Sequence, residues 1–277
     1  MTGASRSTAR TVWLGVAALA VIVFSVFPLF VMLSTAVDPA ANAGGRDVLP
    51  DGFTLAHFRE VLTGTRFPRF LANSLLVAVV TVLVSGLLAL LAAVAVARFR
   101  FRGRTKVLLM ILIIQMVPME ALVIPLFIQA RNLQLLNSLL GLSVIYIAFS
   151  LSFAIWTLRG FVAAVPVELE EAAYLDGASW WQTFWRIIFP LVAPGLVAVS
   201  VFSFILAWNE FIFALSFMSD SEKYTAAVGL RTFFTRSGTN WGAVMAASSI
   251  ITLPVLIFFV AVQSRLSTGL MSGATKG

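Results

Sequence analysis

Six long, predominantly apolar runs alternate with polar stretches along the chain. Their limits are Val12–Ala36, Phe70–Ala97, Val107–Ala130, Leu139–Val162, Pro190–Met218 and Gly242–Gln263. Each reaches the roughly 20 apolar residues that a helix needs to cross a hydrocarbon layer about 30 Å thick. A membrane barrel would instead show segments of about ten residues with alternating polarity. The pattern predicts an all-α integral membrane protein of six transmembrane helices, forming a single domain over residues 1–277. The first run is longer than the roughly 7–15 apolar residues of a signal peptide. Ala41-Asn42-Ala43 is only a weak cleavage site, so this run is read as an uncleaved span.

Composition agrees with the pattern. Apolar residues make up 60% of the 277 positions and charged residues 11%. Soluble domains carry about 25% charged residues, so a soluble globular chain and a disordered one are both excluded. With no cysteine and one histidine, His57, no metal cage can be built from thiolates and imidazoles. His57 lies in a polar stretch and reads as a solvated loop residue.

The net charge of +7 sits in loops beside the apolar runs, which points to membrane orientation and not to nucleic acid. Arg98, Arg100, Arg102, Arg104 and Lys106 crowd one short connection without an acid, which places that loop in the cytoplasm. With six spans both termini then face the cytoplasm, in keeping with Arg6, Arg10, Arg265 and Lys276. The first outer loop also carries Arg46, Arg59, Arg66 and Arg69, balanced by Asp38, Asp47, Asp51 and Glu60. Its length weakens that opposing signal.

The connection after the fourth run, roughly 163–189, is the most informative. Pro166 suits the first turn of a helix. Glu168, Glu170 and Glu171 follow, where negative charge complements the helix dipole. Gly177 supplies a left-handed stop. Ser179 with Gln182 then makes a capping box for a second helix, and Trp180, Trp181, Phe184, Ile187 and Ile188 share one of its faces. Pro190 marks the expected junction with the fifth span. A plain link needs only about 4–6 residues. Such a helix pair is either a docking knob for a cytoplasmic partner or an interfacial segment anchored in headgroups by its tryptophans.

Glu171-Ala172-Ala173, three residues, Gly177, nine residues, then Ile187-x-Phe189-Pro190 resembles the E-A-A signature of ABC importer permeases. Phe189 stands where the usual form has leucine. Trp208-Asn209-Glu210-Phe211, and Gly269-Leu270 followed by Ser272-Gly273-Ala274-Thr275-Lys276-Gly277, are similar to carbohydrate-uptake permeases of the six-span type found in maltose importers. The resemblance implies a bacterial inner-membrane channel subunit carrying a sugar or oligosaccharide. It also implies a coupling helix pair, with Glu171, Ala172, Ala173, Gly177, Trp180 and Trp181 facing an ATP-binding subunit dimer. Further implied partners are a second permease, a different chain from this one, and an extracytoplasmic sugar-binding protein. The outer loop with Arg231, Phe233, Phe234, Asn240 and Trp241 corresponds to one that touches the binding protein, and the C-terminal tail to one that approaches the ATPase.

The chain has no G-x-x-x-x-G-K-[ST] loop. It is therefore expected not to be an enzyme and to hold no cofactor; ATP and magnesium belong to the partner. Glu120, between Pro118 and Pro125, and Glu210, beside Asn209, lie inside apolar runs, where a charge costs ~3 kcal/mol on insertion scales. These three residues either line a translocation path or gate, or act as buried glue between helices. A proton- or sodium-coupled secondary transporter using Glu120 and Glu210 is the alternative reading. It gives no role to the helix pair.

Overall fold

The computed structural model describes residues 3–43, 48–235 and 238–274. Arg46, Asp47 and Thr275–Gly277 lie outside the described residues, as do the side chains of Arg6, Arg265, Leu270 and Ser272. The longer helices among the described residues are α1 (Gly3–Val37), α2 (Phe67–Arg98), α3 (Arg104–Met116), α4 (Val123–Asn132), α5 (Leu139–Ala164), α6 (Val167–Leu175), α7 (Trp180–Asn209), α8 (Ile212–Phe217) and α9 (Trp241–Ala274). Among the described residues, five are long and apolar enough to cross a membrane: α1, α2, α5, α7 and α9. A sixth crossing is supplied if α3 and the following Met119–Asn132 stretch act together, although they are bent by 94°.

Prolines explain where these helices break and where they do not. Val117 precedes Pro118 and adopts an extended backbone, with ψ 122°, because the proline ring clashes with a helical predecessor. The third apolar run is therefore an angled pair of helices joined by a 3₁₀ turn at Met119–Leu122, and not one straight span. Pro190 behaves differently from expectation. Helix α7 runs through it without a junction, because a π turn at Phe184–Ile188 comes just before it. The widened turn accommodates a residue that has no N–H to donate and whose ring crowds the preceding turn. The fifth run also ends sooner than its hydropathy suggests. Glu210 is extended, and the short α8 follows as a separate element. At the C-terminus, α9 stays helical to Ala274, past Gln263 where the sixth apolar run ends.

The chain divides into two compact units. One comprises residues 1–68 and 230–252. Here Asn240 caps α9 by accepting from the Ala243 N–H at 3.0 Å, donates to Glu60 at 3.0 Å, and accepts from the Asn42 amide at 3.0 Å. His57 is not a solvated loop residue as its polar neighbours suggested. It is only 8% exposed, its ring nitrogen lies 3.1 Å from the Asp38 carbonyl, and a Cβ on Gly242 would overlap the ring. The absence of a side chain at Gly242 makes that closeness possible. The most apolar stretch of α1 is not buried at all within the chain.

The other unit comprises residues 69–229 and 253–277. Its core is made by Ala89, Leu90, Ala93 and Val94 of α2, by Ala154, Leu158 and Val162 of α5, and by Phe184, Ile188, Val192 and Val199 of α7. Gly195 lets α7 approach α5 closely, since a Cβ there would stand 2.5 Å from the Phe161 ring. In the same unit the buried Ser203 hydroxyl bonds to those of Ser85 and Ser150, so these small polar side chains satisfy themselves away from water.

Candidate functional site

The turn between α6 and α7 is built from local chemistry. Gly177 has φ +82°, which an L side chain adopts only with strain. Its N–H donates to the Tyr174 carbonyl at 3.1 Å, and the Ala178 N–H donates to the Ala173 carbonyl at 2.9 Å. These two bonds form a Schellman stop that closes α6. The next helix opens at once, because Ser179 accepts from the Gln182 N–H while the Gln182 side chain accepts from the Ser179 N–H at 2.8 Å. Both halves of the expected capping box are present.

The motif residues at this turn point outward. Glu171, Ala172, Gly177, Trp180 and Trp181 are exposed, and Ala173 is half-buried. Leu175 is 89% exposed and Trp181 55%. The tryptophans are not loose: both stack on the fully buried Phe184, at 5.5 and 5.7 Å between centroids. The turn thus presents a preformed apolar tip with Glu171 and Asp176 beside it.

The motif singles out Glu171 and gives its neighbour Glu170 no role beyond the helix dipole; the structure gives it another. Glu170 is the one buried residue of α6. Its carboxylate accepts from Arg98 Nε at 2.6 Å, and Arg98 Nη2 also donates to the Val165 carbonyl at 2.8 Å. The pair is nearly enclosed, with side chains 13% and 8% exposed. It puts the α2–α3 and α5–α6 connections at the same end of this unit.

Glu120, Asn209 and Glu210 are brought to one open pocket of about 530 Å³, with Met119, Phe202, Ile205, Leu206, Phe211 and Ile212. The three differ in chemistry. Glu120 and Asn209 are exposed to the pocket. Glu210 is buried, and its carboxylate accepts from the Tyr146 hydroxyl at 2.5 Å and from the Phe213 and Ala214 N–H groups at 2.9 and 3.1 Å. It therefore caps α8 and bolts the α7–α8 break to α5, as an acid held at a helix N-terminus does. Tyr146 was missed in the sequence, since it lies 64 positions away and has no motif around it.

Residues 219–229 are tied down in the same unit. Arg69 pairs with Glu222 at 3.1 Å, Asn73 donates to the Glu222 and Tyr224 carbonyls, and Ser74 accepts from the Ala226 N–H. In the first unit, Phe233 is buried against Phe67 and Asn240 is engaged as described. Arg231, Phe234 and Trp241 stay exposed, and the rings of Phe234 and Trp241 meet edge to face.

Residues 85–271 match the family described as binding-protein-dependent transport system inner membrane component. The diacetylchitobiose uptake system permease protein DasC of Streptomyces coelicolor is 41% identical, over 98% of this chain and 99% of that protein. The trehalose transport system permease protein SugB of Mycobacterium tuberculosis is 34% identical over 93% and 94% of the two chains. The trehalose/maltose transport system permease protein MalG of Thermococcus litoralis is 36% identical over 95% of each. A crystal structure of a bacterial ABC transporter involved in alginate import has a chain with the same fold, at TM-score 0.80 and 24% identity, covering 95% of this chain and 98% of that one. Carried over most of its length by both the family match and these relatives, the chain belongs to the inner-membrane components of binding-protein-dependent transport systems.

Proposed function

We propose that this permease carries a sugar or oligosaccharide inward as a channel-forming subunit of an ATP-driven importer, by alternating access powered from a separate ATPase. The observation that carries the reading is the exposed, rigidly built α6–α7 turn bearing Glu171, Ala172, Ala173, Gly177, Trp180 and Trp181. The chain itself supplies no nucleotide-binding loop and performs no catalysis. ATP and magnesium act in the ATP-binding subunit dimer that grips this turn. Burying Leu175, Trp180 and Trp181 there contributes on the order of 5 kcal/mol before the cost of association. A motor that closes on a rigid tip moves the attached spans as bodies.

The remaining partners follow from the same reading. A second permease subunit completes the channel and covers apolar surface such as that of α1, with lipid covering the rest. An extracytoplasmic sugar-binding protein delivers the cargo, near the exposed Phe234 and Trp241. The basic loop at Arg98–Lys106, the α6–α7 turn and both termini face the cytoplasm of a bacterial cell. Glu120, Asn209 and Glu210 stand at the translocation path or its gate. Glu210 is suited to holding that region in shape, because three donors already occupy its carboxylate.

Relatives named for trehalose, maltose and diacetylchitobiose support a disaccharide as the cargo and supply the probes. Cells carrying the full system should take up at least one of these sugars in radiolabelled form. Uptake should persist briefly after a proton uncoupler is added and stop when ATP is depleted. Uptake that collapses at once with the uncoupler while ATP remains high would overturn the ATP-driven reading in favour of the secondary transporter.

A further inference from the structure

Helix α6 has an unusual attachment. Val167, Glu168, Leu169, Glu171, Ala172, Tyr174 and Leu175 are all exposed, and its one buried residue is the charged Glu170. A helix held by apolar packing would bury a stripe of side chains. Here Ala173 is only half-buried, and besides the helix's two ends the tether is an ion pair.

That pair joins three elements through one guanidinium. Arg98 stands at the last turn of α2, and its Nε meets Glu170 of α6 at 2.6 Å. Its Nη2 meets the carbonyl of Val165, the residue that caps α5, at 2.8 Å. Arginine suits this role because its planar fork fixes direction as well as charge. Exposed ion pairs contribute little, but a pair so nearly enclosed leaves an uncompensated charge when either partner is removed.

We infer that Arg98 and Glu170 are positioning residues that make α6 and α2 move as one body, so that force applied at the α6–α7 turn reaches a second span besides α7. This rests on the coupling reading given above. The two neighbouring acids then divide the work: Glu171 faces the motor, and Glu170 faces the permease. Without the pair, the turn still docks and still drives α7, but α2 lags behind.

The test uses the complete complex in proteoliposomes, with the sugar that the wild type accumulates in the panel above. For Glu170→Ala, the ATP-binding subunit should still co-purify, and ATP hydrolysed per sugar moved should rise at least about tenfold, a size typical of coupling between sites. A second variant guards against simple misfolding. The chain contains no cysteine, so R98C/E170C places its only two thiols at the pair. With cysteine-free partners, a short bifunctional thiol reagent should return the ratio to within about twofold of wild type. A cross-linked R98C/E170C no better coupled than the untreated variant overturns the inference, whether or not Glu170→Ala assembles. So does a wild-type ratio in Glu170→Ala. Glu171→Lys separates this from the wider reading. If it too transports normally, the coupling role of the turn fails; if it is inactive while the Glu170 variants are normal, only the ion-pair inference fails.

Discussion

Glu210 shows how an acid inside an apolar run earns its place. Its carboxylate meets a tyrosine hydroxyl and two backbone N–H groups, one acceptor satisfying three donors across α5, the α7–α8 break and α8. Glu210→Ala strands all three. Leaving buried donors unsatisfied costs about 1–3 kcal/mol each in the worst case, with relaxation lowering the sum to roughly 3 kcal/mol. The expected outcome is a lower midpoint in thermal unfolding of the purified permease in detergent. Tyr146→Phe removes one of these bonds and should lower it less. An Ala variant as stable as the wild type would mean that the carboxylate is not the bolt described here. Glu120, exposed to the same pocket and not embedded in such a network, should tolerate Gln with little change in that midpoint.

At the scale of elements, the α6–α7 turn depends on a backbone conformation that few residues accept. Gly177 sits at φ +82°, and proline is locked near −65°. Gly177→Pro should therefore abolish uptake while the protein still inserts in the membrane at normal levels, as read by quantitative immunoblotting of membranes. Glu171 is exposed, so Glu171→Lys should leave stability within about 0.5 kcal/mol yet reduce uptake strongly. Both features were legible in the sequence, because a Schellman stop and a capping box are written in residues three to six positions apart. Pro118 is the residue type that breaks helices, but the 94° angle of the bend is not written in the sequence, since it depends on what α3 and α4 pack against. Pro190 misled, because a π turn is not marked by residue type. Least legible were the pairs Arg98 with Glu170 and Tyr146 with Glu210, which are 72 and 64 positions apart. Hydropathy finds helices, but which of two adjacent acids faces inward is decided only when the helices meet.

For the whole molecule, the apolar surface left uncovered is itself informative. In α1, Trp13, Phe24 and Val21 are mostly exposed, and the span's most apolar stretch has no cover from the rest of the chain. Water would make this fold untenable; lipid and neighbouring subunits make it ordinary. The fold class follows from that apolar pattern, and the proposed mechanism turns on what the α6–α7 turn touches. Cysteine introduced at Ala173 or Trp180 and fitted with a photoactivatable cross-linker, in membranes containing the complete transport system, reads that contact directly. The account predicts a dominant adduct between this chain and the ATP-binding subunit, weakened when ATP depletion holds the motor open. Adducts with lipid alone, at both positions and in both nucleotide states, would contradict it.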